Sequence, residues 1–587
     1  MLLRAIAVDY DGTIAENGIL DLHVREAIIE ARSTGLHVVI VTGRILRELR
    51  RVAGDLTFVD GVVAENGAVI LLRNGHRRVL GPPPFPVLLH ELRDRGIEFV
   101  AGRCLVDMDA EHAESALSII RNNNLPLAIA FNHSRLMILP RSINKSLGLI
   151  EILNILGTST HNTIGIGNAE NDYELLKECE YGVAVLWAPY FLRNEADYIL
   201  PGENLKSVAE YISQVSHRKR LPVSGTRHYS FTLESKAGQT SFEISNRGRN
   251  ILIFGDSKSG KSRIAGLFCE QMILQRYTVM VIDPEGDYGS LAFMSNTLML
   301  GGGNPLPDFK GLLTLLRQGL NIILNFSHLD QHSKTAYILK LLPLVAKYRR
   351  KWGYPHSILI DECHYFLHDS LREDLLDQEL GSHIMVSYQP SLLEPKVLRS
   401  MEVIVATRNT RREEIDAIMQ AMNIRLADAW YETIANLDKT EAALLPPTSE
   451  TKGQPRRFTV APRLTRHVRH RQKYFDACSH QNQAFVYTIR GGALGEPVYC
   501  LHDLVQSSEQ MDPEVIIGHL RRHDFSRWIK HVFDDNELAV AVRELETCFG
   551  NNGKASEFSD QLFEIVEHRY SNNFAAPELN NDDVDHC

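Results

Sequence analysis

No apolar run in the chain approaches the ~18–20 residues that span a bilayer, so the sequence offers no transmembrane helix. The start, MLLRAIAVDYDGT, is too short an apolar stretch before Asp9 for a secretory signal. Cysteine is scarce: 8 in 587 residues, scattered, with no C-x-x-C pair. That excludes a disulfide framework and a cysteine zinc site, and points to reduced thiols in a cytoplasmic protein. No repeat recurs at a fixed period, which argues against a solenoid. Charge is not lopsided enough to advertise nucleic-acid binding: 63 Lys plus Arg against 73 Asp plus Glu gives a formal net charge of −10. A local basic groove is still compatible with that balance. With 44% apolar and 23% charged residues the composition is that of globular protein, not a fibrous or mostly disordered chain. The length suggests three or four domains.

What is present is two successive strand–helix alternations, the pattern of parallel sheets covered on both faces. The first occupies residues 1–215, with strands expected at 3–8, 37–41, 60–64, 163–167 and 183–185. A Pro-rich break, GPPPFP, opens an insertion at about 82–140. Residues 216–227 read as a linker. The second alternation, 228–425, has strands expected at 250–254, 278–282, 321–325, 357–361, 383–387 and 402–406. A helical and mixed region at 426–550 and a partly disordered polar tail at 551–587 complete the α/β multidomain reading.

In the first region each expected strand runs into polar residues, and ligands collect at the carboxyl ends of such strands. Strand 3–8 ends in Asp9-Tyr10-Asp11-Gly12-Thr13. Two acids two apart on a tight turn can divide labour, one attacking phosphorus and the other protonating the leaving oxygen. Strand 37–41 ends in Thr42-Gly43-Arg44, where Thr42 and Arg44 are candidate phosphate contacts. Lys145 opens a helix and can neutralise a transferring phosphoryl group. Strand 163–167 ends in Gly167-Asn168-Ala169-Glu170-Asn171-Asp172, oxygen donors suited to Mg²⁺.

These residues, with AENGA at 64–68, resemble the haloacid dehalogenase phosphatases of the Cof-like branch. The resemblance implies a Rossmann-like core with the insertion as a small α+β cap. It implies Asp9 as the nucleophile that becomes an aspartyl phosphate, Asp11 as general acid/base, and Thr42 and Lys145 as phosphate binders. Asp9, Asp11, Asn168 and Asp172 would form the Mg²⁺ site. The family pattern has Asp where this chain has Asn168, so a formal charge is missing and weaker metal binding is expected. A degenerate, binding or regulatory role for this domain is the alternative.

In the second region, strand NILIF runs into Gly255-Asp256-Ser257-Lys258-Ser259-Gly260-Lys261-Ser262 and then a helix. This G-x-x-x-x-G-K-S loop between strand and helix wraps phosphate with backbone N–H groups. Lys261 reaches the β- and γ-phosphates of ATP, and Ser262 ligates Mg²⁺. Downstream, SILI ends in Asp361, a second contact to the Mg²⁺ shell, and Glu362, which can polarise the attacking water. Gln389, after HIMVSY, is a candidate γ-phosphate sensor. Asp361-Glu362-Cys363-His364 also spells a DExH box, but no second run of parallel strands follows 410, so a two-lobed helicase is disfavoured. A single lobe takes its arginine from a neighbour in a ring.

VIDPEGDYGSL at 281–291 resembles the HerA/FtsK hexameric motor ATPases, HerA in particular. That implies a RecA-like domain, a homo-hexamer with ATP between subunits, and Arg408, Arg411 and Arg412 as candidate trans-acting arginines. HerA-like ATPases fused to other enzymes recur in nucleic-acid processing and antiviral defence, so DNA or another nucleic acid is an expected partner. A phosphorylated small molecule or nucleic-acid end is the expected phosphatase substrate. Arg456 to Lys473 carries seven Lys/Arg and no acid, a basic stripe that can meet nucleic-acid phosphates, clasp a subunit or form a solvated face.

Overall fold

The computed structural model describes residues 2–132, 134–221, 230–233, 243–245, 248–367, 376–377, 380–424, 428–446, 454–465, 484–489, 492–533, 535–552 and 554–570. The β-branched runs of the first region, such as HVVIV, form an eight-stranded sheet. Its order is Tyr198–Leu200, Tyr181–Val185, Thr163–Gly167, Ala5–Asp9, His37–Val41, Gly61–Ala64, Val69–Leu72, Arg77–Val79. The first six are parallel, Val69–Leu72 runs against them, and Arg77–Val79 pairs antiparallel with Val69–Leu72. Every residue of Ala5–Asp9 is buried, the signature of a central strand covered on both faces.

Between Arg77–Val79 and Thr163–Gly167 the chain builds a separate four-stranded antiparallel sheet from Phe99–Ala101, Val106–Asp109, Leu127–Asn132 and Arg135–Pro140. Helices Pro86–Asp94 and Ala113–Asn122 cover one face of it through Leu88, Leu92, Ile119 and Ile120. This is the small α+β cap. Helix Leu205–Arg218 runs three residues into the stretch expected as linker, because Val208, Ile212 and Val215 carry its apolar stripe past residue 215.

The second region is a nine-stranded sheet: Thr297–Gly301, Asn321–Asn325, Val279–Asp283, Ser357–Ile360, His383–Ser387, Ile251–Phe254, Val403–Ala406, Glu441–Leu445, Arg456–Thr459. Seven strands are parallel. The last two add antiparallel to one edge. The sheet therefore reaches well beyond residue 425. Arg456 and Arg457, read from composition as the start of a basic stripe, sit in the edge strand with their side chains exposed while Phe458 is buried. Arg466, Arg469 and Arg471, in the rest of the stripe, lie outside the described residues, as do 222–227 of the linker and 571–587 of the tail.

The two sheets meet at the N-terminal ends of their strands. Asn162, just before Thr163–Gly167, accepts through Oδ1 from Nε2 of His356, 3.2 Å away and just before Ser357–Ile360. The backbone N–H of Thr278 donates to Nδ1 of the same ring at 2.7 Å, which fixes the tautomer. His161 stacks on Tyr277 with centroids 3.7 Å apart, and both reach Glu180, at 2.9 and 2.8 Å. Behind this seam the buried Arg349 donates to the carbonyls of Pro355, His356 and Gly381. The loops that follow the carboxyl ends of the strands therefore lie away from the seam in both sheets.

The described residues from 484 to 570, together with 285–290, form a separate C-terminal unit. Its hairpin Phe485–Ile489/Gly492–Val498 joins helices Leu501–Gln510, Pro513–Arg522, Asp524–Trp528, Asn536–Asn552 and Ala555–Tyr570. Phe485 stacks on Phe525 at 5.1 Å in its core. The last helix occupies residues expected as a partly disordered tail. Phe558, Leu562 and Val566, four apart, give it one buried face that its polar composition conceals.

Candidate functional site

Three neighbouring strands of the first sheet deliver Asp9, Thr42 and the Asn168–Asp172 loop to one end. Lys145 comes from the first turn of helix Lys145–Leu156, whose N-cap Asn144 accepts from the Leu147 N–H at 2.9 Å. Gly67, at φ +112°, lets the AENGA turn press on that helix start. A Cβ there would fall 1.8 Å from the Asn144 carbonyl oxygen. Lys145 Nζ then lies 2.6 Å from Asp9 Oδ1 and 2.6 Å from Asp172 Oδ1, all three groups buried. Burial, and the Asp172 carboxylate beside it, push the Asp9 carboxyl up to about 7 against the pull of Lys145. Burial pulls the Lys145 ammonium down, but the two carboxylates more than offset it and hold it charged.

Arg44 does not stand free for phosphate. Its Nε and Nη2 donate to the two oxygens of Asp11, each at 2.6 Å, a two-pronged pair. The bond to Asp11, against partial burial, raises the pKa of Arg44. Thr42 is buried, its hydroxyl accepting from the Arg44 N–H at 3.1 Å. Thr13, which the sequence reading passed over, places its hydroxyl 3.4 Å from Asp9 Oδ2. Its position four residues after Asp9, at the end of the same turn, was the available signal.

A cation is tested by Asn168. One terminal atom of its amide faces the Asp11 carbonyl at 2.8 Å, the Thr13 hydroxyl at 3.0 Å and Asp9 Oδ2 at 3.3 Å. Nitrogen in that position donates to all three. Oxygen there packs against oxygens at about 3 Å, the spacing of adjacent ligands around Mg²⁺ bound at ~2.1 Å. The donor set fits a magnesium ion when the amide presents oxygen, and closes on itself when it presents nitrogen. Asp172 is a supporting group: its Oδ1 takes Lys145, and its Oδ2 takes the backbone N–H groups of Asn168 and Ala169, both at 2.9 Å.

In the second sheet, Gly255-Asp256-Ser257-Lys258-Ser259-Gly260-Lys261-Ser262 connects Ile251–Phe254 to helix Lys261–Leu274. Gly255 passes so close to Thr407 that a Cβ would lie 2.0 Å from its hydroxyl. That hydroxyl meets Ser259 Oγ at 2.5 Å. Asp256 accepts from the Thr410 N–H and hydroxyl at 3.0 and 2.9 Å. The residues after Val403–Ala406 thus brace the phosphate loop, a role the sequence reading missed although Thr407 ends a strand as Thr42 does. Lys261 Nζ rests 2.8 Å from the Asp256 carbonyl.

Asp361 is buried at the end of Ser357–Ile360, and Glu362 follows at φ +45°, an uncommon conformation for a side chain with a Cβ. Beside it His364 Nδ1 is 3.6 Å from Glu362 Oε2 and 3.1 Å from the Ser387 hydroxyl. Ser387 also takes the Gln389 N–H at 3.0 Å. Burial, with Lys261 and Arg411 nearby, lowers His364 to about 4, so it is neutral near pH 7. Arg411 is engaged within its own chain, donating to the Tyr388 carbonyl and lying 3.2 Å from Glu414. Arg412 lies 3.9 Å from Asp416, and Arg408 is exposed.

A family model described as haloacid dehalogenase-like hydrolase matches residues 6–80 and 91–212, and one described as Helicase HerA, central domain, matches 239–352. The phosphoglycolate phosphatase of Methanothermobacter thermautotrophicus is 30% identical over 223 residues, which cover 36% of this chain and 97% of that protein. Phosphoglycolate phosphatase 1 of Saccharolobus solfataricus is 25% identical over 229 residues, 36% of this chain and 96% of that protein. A solved haloacid dehalogenase-like hydrolase from Bacteroides thetaiotaomicron is 20% identical, with a TM-score of 0.32, covering 36% of this chain and 99% of that one. The chain belongs to the haloacid dehalogenase-like hydrolases through its first 212 residues. It is a phosphatase of the Cof-like branch joined to a P-loop ATPase of the HerA type. Among the described residues no helix is long and apolar enough to cross a membrane.

Proposed function

We propose that the chain is a two-activity hydrolase, a Mg²⁺-dependent phosphomonoesterase carried on a ring-forming ATPase that acts on nucleic acid. The observation that carries the phosphatase is Lys145 held 2.6 Å from both Asp9 and Asp172, three residues far apart in sequence meeting in a buried site. Asp9 attacks the phosphorus, and the ester P–O bond breaks. The leaving oxygen takes a proton from Asp11, after which water hydrolyses the aspartyl phosphate, its proton passing back to Asp11. Lys145 neutralises the phosphoryl oxygens and Thr42 orients them. Asp9, the Asp11 carbonyl and Asn168 would hold Mg²⁺, which supplies positive charge against the transferring group.

In the ATPase, Lys261 and the backbone of 255–262 cradle the phosphates, Ser262 and Asp361 would hold Mg²⁺, and Glu362 orients water. Of the three candidate arginines, the exposed Arg408 is the one assigned to serve a neighbouring subunit in a homo-hexamer. The HerA likeness supports a nucleic-acid partner and a place in nucleic-acid processing or antiviral defence. Phosphate release from a panel of phosphomonoesters by the full chain tests the first activity: Asp9→Asn abolishes it, and turnover surviving that change removes the nucleophile. ATP hydrolysis tests the second: Lys261→Ala eliminates it, and Glu362→Gln binds ATP without turning it over.

A second reading rests on Asn168. With its nitrogen turned inward the amide fills the cation's place, and the domain would then bind a phosphorylated ligand without hydrolysing it.

A further inference from the structure

Next to the phosphatase site lies a group of exposed apolar side chains that the chemistry above does not use. The strand Tyr181–Val185 pairs with Thr163–Gly167, which pairs with Ala5–Asp9, so the loop after Val185 emerges at the same end as Asp9 and Asn168. That loop and the helix after it read Leu186-Trp187-Ala188-Pro189-Tyr190-Phe191. Trp187 is 37% exposed, Tyr190 78% and Phe191 52%. Three adjacent large apolar side chains left in water are costly and call for an occupant.

Two contacts tie this ledge to the catalytic loops. The indole Nε1–H of Trp187 donates to the Gly12 carbonyl at 2.8 Å, inside the turn that carries Asp9 and Asp11. Phe191 packs on Tyr173, the residue after Asp172, with centroids 5.3 Å apart. The aromatic surface is therefore anchored to the nucleophile turn on one side and to the loop of Asn168 and Asp172 on the other. A phosphomonoester whose phosphorus is at Asp9 would therefore have aromatic rings anchored to both loops that flank it. Aromatic side chains accept any planar base because every base has a π-face, whereas a small polyol or acid needs hydrogen-bonding partners instead.

We propose that Trp187, with Tyr190 and Phe191, is a base-binding ledge, and that the substrate of this phosphatase carries a nucleobase: a nucleoside monophosphate or the phosphorylated end of a nucleic acid. The proposal rests on the phosphatase reading above and adds the substrate class. It also gives the fusion a chemical logic, since the partner domain is of a type that handles nucleic acid.

The test compares kcat/KM of the full chain on adenosine 5′-monophosphate, a short 5′-phosphorylated oligonucleotide, ribose 5-phosphate and phosphoglycolate. Base-bearing substrates are expected to exceed ribose 5-phosphate by about 10-fold or more, the scale of base–aromatic stacking. Trp187→Leu and Tyr190→Ala should bring that ratio toward one, and Trp187→Phe, which keeps a ring but loses the bond to Gly12, should retain it. The preferred member of the base-bearing pair separates a free nucleotide from a nucleic-acid end. A parental ratio near one, or a ratio unchanged by both Trp187→Leu and Tyr190→Ala, overturns the ledge and leaves it as a protein-contact surface. If no phosphomonoester is hydrolysed, the phosphatase reading fails separately. Calorimetric binding of adenosine 5′-monophosphate against ribose 5-phosphate to the Asp9→Asn chain then decides the ledge, tighter binding of the nucleotide upholding it and equal binding or none refuting it.

Discussion

Arg44 holds Asp11 by both carboxylate oxygens, each at 2.6 Å, so the proposed acid/base group is oriented before any substrate arrives, as a carboxylate that gives up one of these contacts when it carries a proton. A guanidinium can grip a carboxylate with two parallel donors, and an ammonium cannot. Arg44→Ala should lower kcat by about 100-fold, within the range of lost general acid–base catalysis. Arg44→Lys should rescue little of it. Steady-state kinetics decide the matter: a rise in KM alone, with kcat intact, would return Arg44 to phosphate binding.

The amide of Asn168 predicts a metal dependence unlike that of a carboxylate. Asn168→Asp restores a formal charge beside Asp9 and the Asp11 carbonyl and removes the nitrogen that can close the site. The Mg²⁺ concentration giving half-maximal phosphate release should fall by about 10-fold or more, for roughly 1.4 kcal/mol of added binding. An unchanged Mg²⁺ titration would show that residue 168 does not touch the ion.

The arginines after Val403–Ala406 are not equivalent. Arg411 is occupied by Tyr388 and Glu414 of its own chain, and Arg408 is exposed. Mixing Lys261→Ala chains with Arg408→Ala chains should restore some ATP hydrolysis, because one class of mixed interface then has both an intact lysine and an intact arginine. The same mixture with Arg411→Ala should recover none if Arg411 acts in its own subunit. A strictly monomeric chain with full ATPase activity would dispose of the ring.

Much of this was legible in the sequence because strand-end chemistry is local. The stretches HVVIV, NILIF and SILI declare central parallel strands, and the polar residues after each fall at the carboxyl end by topology alone. What stayed hidden depends on distance. Nothing in Thr42-Gly43-Arg44 says that Arg44 turns to Asp11, 33 residues away. Nor does Thr407 announce that it braces Ser259, 148 residues earlier. The strands Glu441–Leu445 and Arg456–Thr459 stayed hidden for different reasons, EAALL because Glu, Ala and Leu favour helix and RRFT because Phe458 is its one buried residue, and helix Ala555–Tyr570 was masked by a polar majority around a narrow buried stripe.

The seam between the sheets sets a pH dependence. Burial drives His356 and His383 well below the ordinary 6.5, with His161 and Arg349 adding to it at His356 and Arg349 at His383. As pH falls through about 6.5 the unfolded chain takes up protons at these rings and the folded chain does not. The unfolded state then binds more protons, so stability is present above that pH and is lost below it, by up to about 1.4 kcal/mol per pH unit for each ring. Thermal melting should drop between pH 7.5 and 5.5, and His356→Gln should flatten the decline. A decline equally steep in that variant would place its origin elsewhere.

That seam has a consequence for how the molecule is made. A chain leaves the ribosome N-terminus first, and its domains fold as they emerge. The phosphatase sheet is complete by Leu200, so the His161, Asn162 and Glu180 side of the junction exists before Tyr277 and His356 are synthesised. The ATPase finishes folding against a partner already formed and attached to it, at an effective concentration that separate polypeptides rarely reach. The fusion thereby fixes a one-to-one ratio of the two enzymes, whatever the level of expression.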